Sequence, residues 1–224
     1  MTYDLFIGDR TFSSWSMRGW LMLETFGLPY KTHMIGLYSG TMADDMAPLA
    51  PARLVPALRL PDGTVVGESL AMAETLAERH PDIAMWPRDP TARATARWLA
   101  AEMCAGFGAL RGACPMQLLQ VWEGFVPNPE TQADLARIDD LSAHARTFGD
   151  GPWLFGDWTL ADVFYAPVAA RIVGYDLPVS QSVRSWCDRL IAHRAFQSWR
   201  AEGLKVVYDP MPYALQLSSR AWPS

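Results

Sequence analysis

The strongest constraint on the fold lies in the first 35 residues. Tyr3-Asp4-Leu5-Phe6-Ile7 is a short aromatic and aliphatic run that ends at Gly8, as a strand entering a turn does. A polar stretch through Ser16 follows, and then a run from Met17 to Phe26 that is apolar except for Arg18, Gly19, Glu24 and Thr25 and stops at Gly27 with Pro29 beyond. Glycine and then proline after such a run is a helix stop. Tyr30 to Ile35 reads as a second strand directly after it. Strand, helix and strand in so short a length form a βαβ unit, which requires the two strands to be parallel.

The chain continues through a loop rich in Gly, Ala, Asp and Pro as far as Arg53. Val55 to Leu60 and Thr64 to Val66 then flank Pro61-Asp62-Gly63, where Asp-Gly between extended segments predicts a hairpin. Glu68 to His80 carries Leu70, Ala73, Leu76 and Ala77 at helical spacing and is closed by Pro81. The order strand, helix, strand, strand, strand, helix matches a thioredoxin-like α/β domain, expected over residues 1–80. Residues 81–90, with three prolines, read as a linker. Residues 91–224 show no strand alternation and predict an all-α domain. Leu99, Met103, Phe107 and Leu110 make one helical stripe, and Leu135, Ile138, Leu141, Ala145 and Phe148 another. Gly106, Gly108, Gly112 and Pro115 predict that the first of these helices bends or ends among them.

Charge narrows the function classes. A net charge of −5 over 224 residues carries no basic stripe of the kind that phosphate backbones require, which argues against nucleic acid. No apolar run approaches the ~18 residues of a membrane span, and an acid stands where a secretory signal carries basic residues. A cytoplasmic location is the simplest expectation. Cys104, Cys114 and Cys187 show no metal-ligand spacing and are expected as reduced, packed thiols, and His33, His80, His144 and His193 lack the H-E-x-x-H pattern, so no metal is expected.

Three features remain that carry chemistry. Ser13-Ser14-Trp15-Ser16 falls at the start of the first helix, where unpaired backbone N–H groups and the helix dipole favour an anion and a serine hydroxyl adds a donor. The same serines also suit a helix cap. Val55-Pro56 places a proline at the opening of a strand, as an edge-strand residue or in a cis bond that leaves the Val55 backbone free to pair with a peptide-like ligand. Glu68-Ser69 begins the third helix, with Glu favouring the dipole and Ser able to cap, or both able to hold the amino-acid end of a ligand.

In this order the features resemble the cytosolic glutathione transferase superfamily over nearly the whole chain. Ser13-Ser14-Trp15-Ser16-Met17-Arg18 looks like the serine-type motif of zeta-related and bacterial members, Val55-Pro56 like the family's cis-proline, and Glu68-Ser69-Leu70-Ala71 like its glutamate-serine helix. Gly151 to Asp162 resembles the family's folding motif, with Thr159 and Asp162 at capping-box separation.

The resemblance implies glutathione as co-substrate, with Ser13 or Ser14 donating a hydrogen bond to its sulfur. It places Arg53, Leu54, Val55, Pro56, Glu68 and Ser69 along the tripeptide, and a small hydrophobic electrophile between the domains. Met103, Phe107, Arg111 and Trp122 are the expected lining of that second pocket, and a homodimer is the implied assembly. Zeta enzymes that isomerise maleylacetoacetate have a cysteine where this chain has Trp15, which argues against that isomerase activity. A glutathione-dependent isomerase or peroxidase, or a non-catalytic ligand-binding protein of the same fold, are the alternatives.

Overall fold

A computed structural model describes residues 2–205 and 215–223 of the chain. The first half opens with strand β1 (Tyr3–Ile7), helix α1 (Ser14–Glu24) and strand β2 (Tyr30–Met34). A short helix α2 (Met42–Met46) runs into a single 3-10 turn (Ala47–Leu49), and strands β3 (Ala57–Arg59) and β4 (Val65–Val66) lead to helix α3 (Ser69–Arg79). The sheet order is β2-β1-β3-β4. β1 pairs with β2 in parallel, Tyr3 opposite Tyr30, and with β3 antiparallel, Leu5 opposite Leu58. The chain therefore has the thioredoxin-like first half that the sequence predicts, followed by a mainly helical second half.

Alternation along β1 assigns its two faces, because successive side chains of a strand point to opposite sides. Tyr3, Leu5 and Ile7 join the main core with Met17, Leu21 and Met72, whereas Phe6 packs on the other face with Ile35, Met46, Leu49 and Ala57. α2 and its 3-10 turn supply Met46 and Leu49 to that second cluster. They occupy the region expected to be loop, where one turn of helix is too short to show a periodic stripe. The β3–β4 hairpin is shorter than predicted and starts only after Pro56.

The second half contains α4 (Pro90–Ala105), α5 (Gly108–Ala113), α6 (Pro129–Ala145) ending in a 3-10 turn (Arg146–Phe148), α7 (Leu160–Gly174), α8 (Gln181–Ile191) and α9 (Arg194–Gly203). The predicted interruption falls between α4 and α5, where Phe107 adopts a left-handed conformation (φ 55°). One expectation needs correction. Strand β5 (Gln120–Trp122) pairs antiparallel with strand β6 (Ser219–Ala221), so this half is helical with one two-stranded ribbon. Strands of three residues leave too little sequence for alternation to register. Residues 206–214, also inside the predicted all-α segment, lie outside the described residues.

α7 is buried over its whole length and forms the axis on which the two halves meet. Its start is a complete capping box. The Thr159 hydroxyl accepts from Ala161 N, and the Asp162 carboxylate accepts from Thr159 N at 3.0 Å. Asp162 also accepts from Leu154 N and from Trp186 Nε1, each at 3.1 Å, so one buried carboxylate ties the preceding loop and α8 to the helix. Across the halves, Arg18 Nε donates to Phe164 O at 2.8 Å and Trp158 Nε1 to Thr25 Oγ1 at 3.1 Å. Among the described residues no helix is long and apolar enough to cross a membrane.

Candidate functional site

The loop between β1 and α1 is shaped by Asp9. Its carboxylate accepts from Thr11 N at 2.7 Å and Phe12 N at 3.0 Å, and its carbonyl accepts from Ser13 N at 3.0 Å. This turn delivers Ser13 as the cap of α1. The Ser13 hydroxyl accepts from Ser16 N at 3.3 Å and donates to Ser16 Oγ at 2.8 Å, while Gly8 N donates to the same Ser16 oxygen at 2.9 Å. Ser13 is buried and its hydroxyl proton is committed.

Ser14 is the first residue of α1, half-buried, and its hydroxyl makes no hydrogen bond among the described residues. It lines a cavity of about 540 Å³ together with Phe12, Trp15, Tyr38, Arg111, Met116 and Arg171. The two serines left equivalent by position thus stand in different situations. Both line the cavity at the positive end of the helix dipole, but the Ser13 hydroxyl is committed to Ser16 and the Ser14 hydroxyl is not.

Val55-Pro56 is cis, as is Ala50-Pro51. Pro56 is buried against α1, and the approach is close enough that a Cβ on Gly19 would lie 2.6 Å from Pro56 Cβ, so α1 has a glycine there. The Val55 backbone N–H and C=O make no hydrogen bond among the described residues. Beside it, a cavity of about 530 Å³ is lined by Arg53, Leu54, Val65, Gly67 and Glu68 among others.

Glu68 is the cap residue of α3, exposed, with a carboxylate that bonds to none of the helix N–H groups. Ser69, expected as a possible cap, is instead the first helical residue. It is buried, and its hydroxyl lies 4.0 Å from Cys104 Sγ. Burial pushes the Cys104 thiol above its ordinary range, so it is a poor thiolate.

Of the four side chains expected to line the second pocket, Arg111 alone borders the cavity at Ser14. Phe107 sits one residue before the cavity-lining Gly108 and packs edge-on against Tyr165 at 6.3 Å. Met103 and Trp122 are core residues, which corrects their assignment. The stripe Leu99, Met103, Phe107 and Leu110 points inward, and β5 places Trp122 on a buried face.

Sequence reasoning did not single out Arg171, Tyr38 or Met116 as cavity residues. A signal for Arg171 was present, since an arginine inside the otherwise apolar stretch Val163–Gly174 needs a reason to be there. It is buried, donating from Nε to Cys114 O at 2.9 Å and from Nη1 to Pro167 O at 3.1 Å. Arg18 is also buried, 1% exposed, and desolvation lowers its pKa to about 9. Among the described residues no cluster of His, Cys, Asp or Glu has the arrangement to hold a metal ion.

The glutathione S-transferase N-terminal domain family matches residues 12–79, from Phe12 beside the two serines to the end of α3. The chain is 32% identical to a maleylacetoacetate isomerase of Pseudomonas aeruginosa over 194 residues, covering 84% of this chain and 91% of that protein. It is 29% identical to a maleylacetoacetate isomerase of Rattus norvegicus, covering 84% and 87%. A crystal structure of a glutathione transferase homologue from Burkholderia gl BGR1, with bound glutathione, matches with a TM-score of 0.66 and 25% identity, over 92% of this chain and 99% of that one. On these similarities this chain is a member of the glutathione S-transferase superfamily with zeta-class resemblance.

Proposed function

We propose that the protein binds glutathione along β3 and α3 and that the Ser14 hydroxyl donates a hydrogen bond to its sulfur, holding it as a thiolate for attack on a small electrophile. The observation that carries this reading is the uncommitted Ser14 hydroxyl at the first turn of an 11-residue helix, beside a Ser13 hydroxyl already spent on capping. Lowering a thiol pKa by ~2 units takes only ~2.7 kcal/mol, within reach of one hydroxyl and a helix terminus. The free N–H and C=O of Val55 suit the cysteinyl backbone, the exposed Glu68 carboxylate suits the γ-glutamyl ammonium, and Arg53 suits a carboxylate of the tripeptide.

The electrophile sits in the cavity that Ser14 shares with Arg111 and Arg171. Two arginines in its wall favour a carboxylate-bearing electrophile over the purely hydrophobic one that the sequence suggested. That observation, together with the isomerase relatives, supports a second reading. In it the thiolate adds to a conjugated double bond, the adduct rotates, and the thiolate leaves, so that glutathione is regenerated.

The test is ultraviolet titration of the bound thiolate in the wild type and the two serine variants. Ser14→Ala is expected to raise the thiol pKa by about 1–2 units and Ser13→Ala to leave it nearly unchanged. An unchanged pKa in Ser14→Ala, or no retention on immobilised glutathione, overturns the reading. Glutathione consumption separates the two reactions, since conjugation uses one equivalent per turnover and isomerisation uses none.

A further inference from the structure

Trp15 stands beside Ser14 in the cavity wall, and two guanidinium groups lie over its indole. Arg18 Cζ is 4.4 Å from the ring centroid and Arg111 Cζ is 5.2 Å from it. Among the described residues neither arginine forms an ion pair with a carboxylate. Two acids on the neighbouring helices are engaged elsewhere. Glu102 is held by Arg137 at 2.7 Å and 3.0 Å, and Asp134 accepts from Leu110 N at 2.9 Å. The remaining bonds of the two arginines go to neutral carbonyls. Arg18 donates to Phe164 O at 2.8 Å and Ser14 O at 3.5 Å, and Arg111 Nη1 lies 3.5 Å from both Cys104 O and Gly106 O.

Two buried or half-buried cations close together repel each other, and proteins ordinarily relieve this with a carboxylate. A carboxylate here would neutralise the wall that faces Ser14 and would repel an anionic electrophile. An aromatic face attracts a guanidinium through its quadrupole and leaves the net positive charge in place. Indole does this better than any other side chain.

We propose that Trp15 is the specificity-determining residue of the electrophile site: a neutral partner, contacted also by Arg18, that holds Arg111 in the cavity wall so that its charge selects an anionic electrophile. The proposal rests on the reading of Ser14 and its cavity given above, and its test separates the two.

The test compares glutathione conjugation of chloroacetate and of chloroacetamide, which differ in charge but share a leaving group. In both, the thiolate sulfur forms a bond to carbon as the carbon–chlorine bond breaks, and chloride carries away the electron pair. The wild type is expected to prefer chloroacetate relative to the uncatalysed ratio. Trp15→Leu is expected to lower kcat/KM for chloroacetate about tenfold relative to chloroacetamide, mainly through KM. Trp15→Phe is expected to restore about half of the preference on a logarithmic scale. Arg111→Gln is expected to remove it, and the double variant Trp15→Leu/Arg111→Gln to lose little more than either single change.

An equal loss on both substrates in Trp15→Leu makes Trp15 merely structural and overturns the proposal, as does a preference that survives the change. If Trp15→Leu does not fold, Trp15→Phe carries the same test, with a selective loss of about threefold on chloroacetate expected and an equal loss on both substrates overturning it. A wild type that conjugates both substrates without preference removes the anionic electrophile altogether, and a wild type that binds no glutathione removes the underlying reading as well.

Discussion

At the scale of single residues, the proposed thiol site rests on two adjacent serines whose hydroxyls differ, that of Ser13 bonded to Ser16 and that of Ser14 making no hydrogen bond among the described residues. Ser13 donates to Ser16 Oγ and accepts from Ser16 N, so Ser13→Ala is expected to cost about 1 kcal/mol of stability, read in a denaturant melt, with little effect on the thiol. Glu68 supplies the converse case. Its carboxylate is exposed and caps nothing, so Glu68→Gln is expected to leave the melting temperature in place while weakening glutathione binding about tenfold, read by calorimetric titration. The pair Ser13-Ser14 was legible in the sequence but the choice between them was not. It depends on where α1 begins to within one residue, and helix starts are the least determined feature of a periodic pattern. The polar run Ser14-Trp15-Ser16 concealed three residues of helix for the same reason.

At the scale of elements, the start of α7 is the feature whose sequence signal and structure agree in most detail. Thr159 and Asp162 announce a capping box, and the box is formed. Its depth has a consequence for pH dependence. Burial raises the Asp162 carboxyl to about 6 from an ordinary 3.8, although four hydrogen bonds pull the other way. Between those values the folded chain holds a proton that the unfolded chain has released, so this group's contribution to stability falls as pH rises through the window and the loss is complete above the folded value. A shift of about two units corresponds to about 3 kcal/mol. Asp162→Asn is expected to be less stable overall but to lack this slope. The difference in unfolding free energy between the wild type and Asp162→Asn should therefore shrink from about pH 4 to about pH 7 in parallel melts. A constant difference would show that the carboxylate is stabilised as the anion by its donors. The links from Asp162 to Leu154 and Trp186 were not legible, since they join segments that no local pattern connects.

At the scale of the whole molecule, the two halves share one core. Met17, Trp20 and Leu21 of α1 pack in the same cluster as Leu99, Phe164 and Trp199, and the bonds Arg18 to Phe164, Trp158 to Thr25 and Thr11 to Gly203 cross between the halves. One cooperative unfolding transition is expected by scanning calorimetry, with calorimetric and van't Hoff enthalpies in agreement. Two resolved transitions would show that the halves keep separate stabilities. The same connectivity decides the site, because the cavity wall is drawn from the loop before α1, from α5 and from α7 together.

By itself the amino-acid order determined the βαβ start, the hairpin, the helical second half and the capping box. Each of these rests on local periodicity or on a residue with a fixed conformational preference, and such signals are complete within a dozen residues. Only the tertiary structure decided that the Ser13 hydroxyl is bonded to Ser16 while that of Ser14 is not, that Met103 and Trp122 lie in the core, that β5 finds β6 nearly a hundred residues later, and that Arg18 and Arg111 both lie against Trp15. These are contacts between distant segments, and their energies depend on burial and mutual placement that no single stretch of sequence contains.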